Sequence, residues 1–225
     1  MSLALRPLLL GAALLPLVSA SASIFVGFEG LPQAPALNSG GSLFEANGNS
    51  QVLGGVTWDN RIRVTGRENR TGGDLSNPLS GIPHGGDFFI TNEAYPDAGN
   101  GITLQTTQLL EGAWFSQVEY YGFGNPTMTI TIQALGGVEV LGSASLTLPA
   151  NPGPAALPMQ FLNTSAFSAF TGITGYRINQ DPLDAGSRYW SADDFQFAAV
   201  PEPQSVGIAA VSLAAVAVMA RRRRS

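Results

Sequence analysis

The sequence predicts an all-β protein, an antiparallel β-sandwich or jelly roll, over residues 23–199. Two observations carry this. Short apolar runs with period-two alternation recur between turn signals, and the 27 glycines and 15 prolines of the 225 residues break the chain too often for long helices. No long stretch keeps a 3.6-residue apolar period. No internal repeat is visible, which argues against a solenoid.

The clearest strand is 127–134, TMTITIQA. Met128, Ile130, Ile132 and Ala134 fall on one face, with Thr127, Thr129, Thr131 and Gln133 on the other. Period two over such a run marks a half-buried antiparallel strand. Gly136-Gly137 and a second apolar run follow, so 127–148 reads as a hairpin with a glycine turn. Further strands are expected at 23–28, 56–58, 62–65, 88–91, 102–105, 115–123, 159–162, 175–179 and 194–198. Two stretches read as long loops. Residues 67–86 are dense in Gly, Asn, Asp and Pro, and 151–158 carry prolines that a central strand excludes.

Composition bounds the function. The chain has no cysteine, so neither disulfides nor thiol chemistry contribute. Residues 23–199 hold six arginines against fifteen acids, a net charge of about −9 where the whole chain carries −5. A surface of that sign argues against nucleic acid as a partner. The only histidine, His84, lies in the loop GIPHGGD. It reads as part of a glycine-rich solvated loop, with a metal shared with Asp87 as the alternative. No GxSxG or HExxH pattern is present, so a noncatalytic role is expected. A two-carboxylate glycosidase needs no such pattern and stays open as a distant alternative.

Both ends read as addresses. Residues 1–22 have one positive charge, Arg6, an apolar core over 8–18 and the small-x-small triplet Ala20-Ser21-Ala22. This is the pattern of a secretory signal peptide, cleaved before Ser23 or, alternatively, Ser21. It implies the general secretory translocon and signal peptidase as partners. At the other end, residues 200–225 contain Pro201-Glu202-Pro203, an uncharged apolar run over 206–220, and the cluster Arg221, Arg222, Arg223 and Arg224. A helix over about 205–220 is expected there. Its fifteen-residue apolar run spans about 22 Å, short of the ~30 Å hydrocarbon core, which suits a transient anchor. The arginines act as a membrane stop on the cytoplasmic side, leaving the rest of the chain outside.

This tail resembles the PEP-CTERM sorting signal of exported bacterial proteins: the tripeptide, the apolar run and the arginines stand in the right order at the end of the chain. The resemblance implies an exosortase-like protease as a partner and passing residence in the inner membrane. The destination it implies is the cell surface or an exopolysaccharide matrix.

The remainder carries a second resemblance. FVGFEGLP, GGVTWDN, GGDFFITN, FTGITGYRI and RYWSADDFQF follow one another along it. The order is similar to that of β-sandwich domains in PEP-CTERM proteins and, more distantly, of jelly-roll carbohydrate-binding modules. In such modules a structural Ca²⁺ joins the first and last strands, which implies Glu29 with Asp193 or Asp194 as ligands. Calcium takes hard oxygen donors, so these carboxylates fit it. A capping acid and a solvated turn account for the same residues without a metal.

The resemblance also raises glycan binding. Trp58, Trp114, Tyr120 and Tyr121 are stacking candidates, with Tyr95, Tyr189 and Trp190 the preferred ones. Strand aromatics are more often packing than platform. Thr127, Thr129 and Thr131 form a single threonine row, which β-propensity explains without an ice-binding role. The leading expectation is an exported noncatalytic surface or matrix protein. A carbohydrate-binding module is second and a glycoside hydrolase third.

Overall fold

The computed structural model describes residues 23–29, 51–59, 61–66, 79–80, 82–92, 101–117, 119–120, 126–152, 156–181 and 189–198. The expected signal peptide at 1–22, the tail at 200–225 with Pro201, Glu202, Pro203 and Arg221–Arg224, and Tyr95 lie outside these residues. Among the described residues no helix is long and apolar enough to cross a membrane.

The described chain is mostly β-strand, as expected. The strands are β1 (Ile24–Val26), β2 (Gln51–Leu53), β3 (Val56–Trp58), β4 (Arg63–Gly66), β5 (Leu79–Ser80), β6 (Phe88–Thr91) and β7 (Ile102–Gln105). They continue with β8 (Leu110–Gln117), β9 (Glu119–Tyr120), β10 (Met128–Gly136), β11 (Glu139–Leu148), β12 (Gln160–Asn163), β13 (Gly175–Asp181) and β14 (Trp190–Phe197). One sheet runs β12-β8-β14-β6-β4, with β1 also on β14. The other runs β11-β10-β13-β7-β3-β2, and β5 pairs β9 apart from both.

The alternation read in β10 is realised. Met128, Ile130, Ile132 and Ala134 are buried, while Thr129, Thr131 and Gln133 stay half-exposed. The hairpin turn is Gly137-Val138, one residue later than the Gly136-Gly137 pair expected. Gly137 takes φ 67°, a left-handed conformation that a glycine adopts at little cost. Between the sheets lies a core of edge-on aromatics. Trp58 meets Phe195 at 5.0 Å and Phe28 at 5.3 Å between ring centroids, and Phe115 meets Trp190 at 5.8 Å. Trp58 is therefore a core residue, and its indole N–H is satisfied by the Leu53 carbonyl at 3.1 Å.

Buried polar groups tie the layers together. Tyr176 on β13 donates its hydroxyl to the Gln108 carbonyl and accepts from the Leu110 amide, at 2.9 and 2.8 Å. Its burial raises the phenol above its usual range. Asp59 accepts from the Arg61 guanidinium and from the amide and hydroxyl of Thr103. Burial opposes the charge on Asp59, but these hydrogen bonds outweigh it and hold the carboxyl below the usual aspartate value.

The differences from expectation are local. Strand β8 begins at Leu110 rather than Phe115 and ends at Gln117, with β9 separate from it. β5 forms inside the stretch expected as a loop. β14 begins at Trp190, four residues before the expected Asp194. The cause is a break in its register between Asp193 and Gln196, where Asp194 takes φ 45°. Trp190 and Ala192 face the core before the break, and Phe195 and Phe197 after it. The bulge shifts the alternation by one residue, so the two halves look like unrelated segments in sequence.

Candidate functional site

The break in β14 is where side chains from distant segments meet. β1 and β6 occupy successive halves of the same side of β14. β1 pairs Ile24↔Phe197 to Val26↔Phe195, and β6 pairs Thr91↔Ser191 and Ile90↔Ala192. Asp193 and Asp194 fall in the interval between them. The loop 82–87 leading into β6 fills this interval, and Glu29 reaches it from just beyond β1.

Three carboxylates hold that loop. Glu29 Oε1 accepts the amides of Asp87 and Phe88, each at 2.7 Å. Asp193 Oδ2 accepts the Gly85 amide at 3.0 Å, while its Oδ1 accepts the Asp194 amide at 2.8 Å. Asp194 Oδ2 lies 2.7 Å from His84 Nδ1. The glycines are required by this closeness. A Cβ on Gly85 would stand 2.8 Å from Asp194 Oδ2, and one on Gly86 would stand 2.3 Å from the Glu29 carboxyl carbon.

Asp193 is 1% exposed. Burial pushes its carboxyl up to about 6, an effect that the Gly85 amide partly offsets and neighbouring Asp194 reinforces. Next to it in the sheet stands Trp114, its register partner on β8. The His84 imidazole lies flat on that indole, 3.7 Å between centroids at 12°, and Phe161 packs at 5.3 Å from it. Phe89, Met159 and Tyr189 complete an apolar cluster with Trp114, separate from the main core.

The expected metal ligands Glu29, Asp193 and Asp194 are thus gathered around one loop, and the first and last strands are neighbours as the calcium reading required. Their oxygens bind amides and the imidazole here. Among the described residues no three acid or histidine side chains converge as a metal-holding group. The preferred glycan-stacking residues are placed otherwise. Trp190 is in the core at 1% exposure, and Tyr189 is nearly buried in the second cluster, so neither presents a ring face for stacking. Trp190 faces the main core, and Tyr189 faces the second cluster on the other side of the sheet. His84, read as part of a glycine-rich solvated loop, does lie exposed in that loop, and it is also stacked on Trp114 and paired with Asp194. The signal for it was the Gly85-Gly86 pair, whose missing side chains let a loop approach carboxylates closely.

No family model matches the chain, and no curated protein matches it. Among solved structures, the crystal structure of a DUF4465 family protein from Bacteroides caccae is similar. It is 10% identical, covers 78% of this chain and 98% of its own, and superposes with a TM-score of 0.49. Nothing about ligand or role is taken from so remote a likeness.

Proposed function

We propose that this chain is an exported, noncatalytic protein of the cell surface or extracellular matrix, sorted through its C-terminal tail. The observation that carries the reading is the tail itself: Pro201-Glu202-Pro203, the apolar run over 206–220, and Arg221–Arg224. The placement of the ends fits such a role. Ile24 pairs with Phe197, so the points where leader and tail attach lie side by side at one end of the sandwich. A domain hung by one end keeps both broad faces clear of the bilayer.

The test is intact-mass measurement of the protein recovered from its native host. The expected product begins at Ser23 or Ser21 and lacks the residues beyond the Pro-Glu-Pro region. Extracellular protein that still carries Arg221–Arg224 would reject the sorting reading. A role as a carbohydrate-binding module is the second reading, resting on the order of motifs along the sequence; Trp114 is half-exposed, and His84 covers one face of its ring. A glycan-array screen with and without Ca²⁺ distinguishes it, since a purely structural protein gives no selective signal.

A further inference from the structure

The two edges of the β11-to-β2 sheet are unlike each other. At one edge β2 is three residues long, short enough to offer little to a passing strand. At the other, β11 runs for ten residues, and among the described residues no strand pairs with its outer side. Proteins usually guard such an edge with charge, proline or a bulge. From Val140 to Leu148 there is neither charge nor proline. The one bulge sits at its start, where Leu135↔Val140 gives way to Ala134↔Gly142. From Gly142 to Leu148 the register is unbroken, so this is a regular stretch of edge strand.

We propose that this edge pairs with the same edge of a second copy of the chain, antiparallel and about a two-fold axis at Ser145. The residues argue for a second copy. Centred on Ser145, the regular stretch pairs wholly with itself: Gly142 faces Leu148, Ala144 faces Leu146, and Ser143 faces Thr147 of the other copy. On the inner side small residues meet large ones, and the half-buried Ala144 and Leu146 of each copy are covered by the other's. On the outer side exposed hydroxyl residues meet each other. The strand's single charge, Glu139, lies outside the paired stretch, so the two copies of Glu139 end up at opposite ends of the ladder. Elsewhere the domain is strongly acidic, and most other contacts between two copies would set like charges together. Such a two-fold pairing closes on itself and makes a dimer rather than a fibre.

The chain has no cysteine, so an introduced thiol reports alone. In the full chain, Ser145→Cys places two thiols across the axis at a Cα separation of about 4.5–5.5 Å, within reach of a disulfide. Under mild oxidation it is expected to form a disulfide dimer at least about tenfold faster than Val52→Cys, because pairing raises the local thiol concentration. Val52 is 71% exposed on the opposite edge and reports random collision. By sedimentation the full-length wild type is expected to show a concentration-dependent dimer in a charge-free detergent. The double variant Ser143→Lys/Thr147→Lys, which sets lysine opposite lysine, is expected to be monomeric with an unchanged circular dichroism spectrum. Equal cross-linking rates for Ser145→Cys and Val52→Cys, or an unchanged dimer in the double lysine variant, would overturn the proposal.

Discussion

The outer faces of the two sheets are built on opposite plans. On the sheet centred on β14, the outer face is clad. Phe89, Met159, Tyr189, Trp114 and Phe161 cover it, the loop 82–87 lies across it, and even Asp193 is buried there. On the sheet centred on β10 and β13, the outer face is polar and, among the described residues, bare. Thr129 meets Thr147 at 3.2 Å, Thr131 meets Ser145 at 2.8 Å, and Asn179 donates to Gln133 at 3.1 Å. This face obeys simple alternation, and its outward side chains are half-exposed or exposed. The clad face buries both sides of its strands, so alternation fades and other forces choose the residues. The difference teaches where a β-sandwich keeps its coupled chemistry: on the face where a second layer excludes water.

The largest test of this contrast is Trp114→Ala. It removes the surface on which His84 stacks and Phe161 packs, and it is expected to lower unfolding free energy by about 2–3 kcal/mol. Chemical denaturation measures it, and a loss below about 0.5 kcal/mol would show the cladding to be loose.

Asp193 sharpens the contrast through pH. Its folded pKa, about 6, stands above the ordinary 3.8, so the fold binds this proton more tightly than the unfolded chain does. Its contribution is fully present below about pH 4 and lost as pH rises through 6, a decline on the order of 1–3 kcal/mol. Asp193→Asn is expected to flatten that decline relative to wild type in metal-free buffer. Identical pH profiles would remove Asp193 from the account.

Calcium at Glu29, Asp193 and Asp194 remains a proposal. It expects chelation to lower the melting temperature by a few degrees, in line with about 1 kcal/mol of linked binding, and Asp194→Ala to abolish the response. A melting temperature indifferent to chelator rejects the ion and leaves the three acids as clasps for the loop. The smallest effect is expected on the bare face, where Thr131→Ala should change stability by less than about 0.5 kcal/mol.

This division also explains what the sequence disclosed. β10 was legible because one of its faces meets the core and the other meets water. Glu29, Asp193 and Asp194 were legible as a group through resemblance, and the pairing of β1 with β14 does bring them to one loop. The start of β14 was not legible, because the bulge at Asp194 shifts the pattern by one residue and makes Trp190 and Tyr189 look like loop aromatics. The partnership of His84 with Trp114 was hidden for another reason. The two are remote in the chain, and a loop laid over a sheet leaves no periodicity to read.

Strand β14 lies between β8 on one side and β6 and β1 on the other, and among the described residues it is the last strand in chain order. A chain emerging from its amino terminus therefore carries β8 and β6 with their joining edges unfilled until residues 190–197 have been made. Rings such as Phe115 wait exposed for as long. Truncation before Trp190 would remove the keystone rather than trim an end. The nascent protein is thus obliged to hold a half-built sheet, in need of shelter from its own kind, until β14 appears.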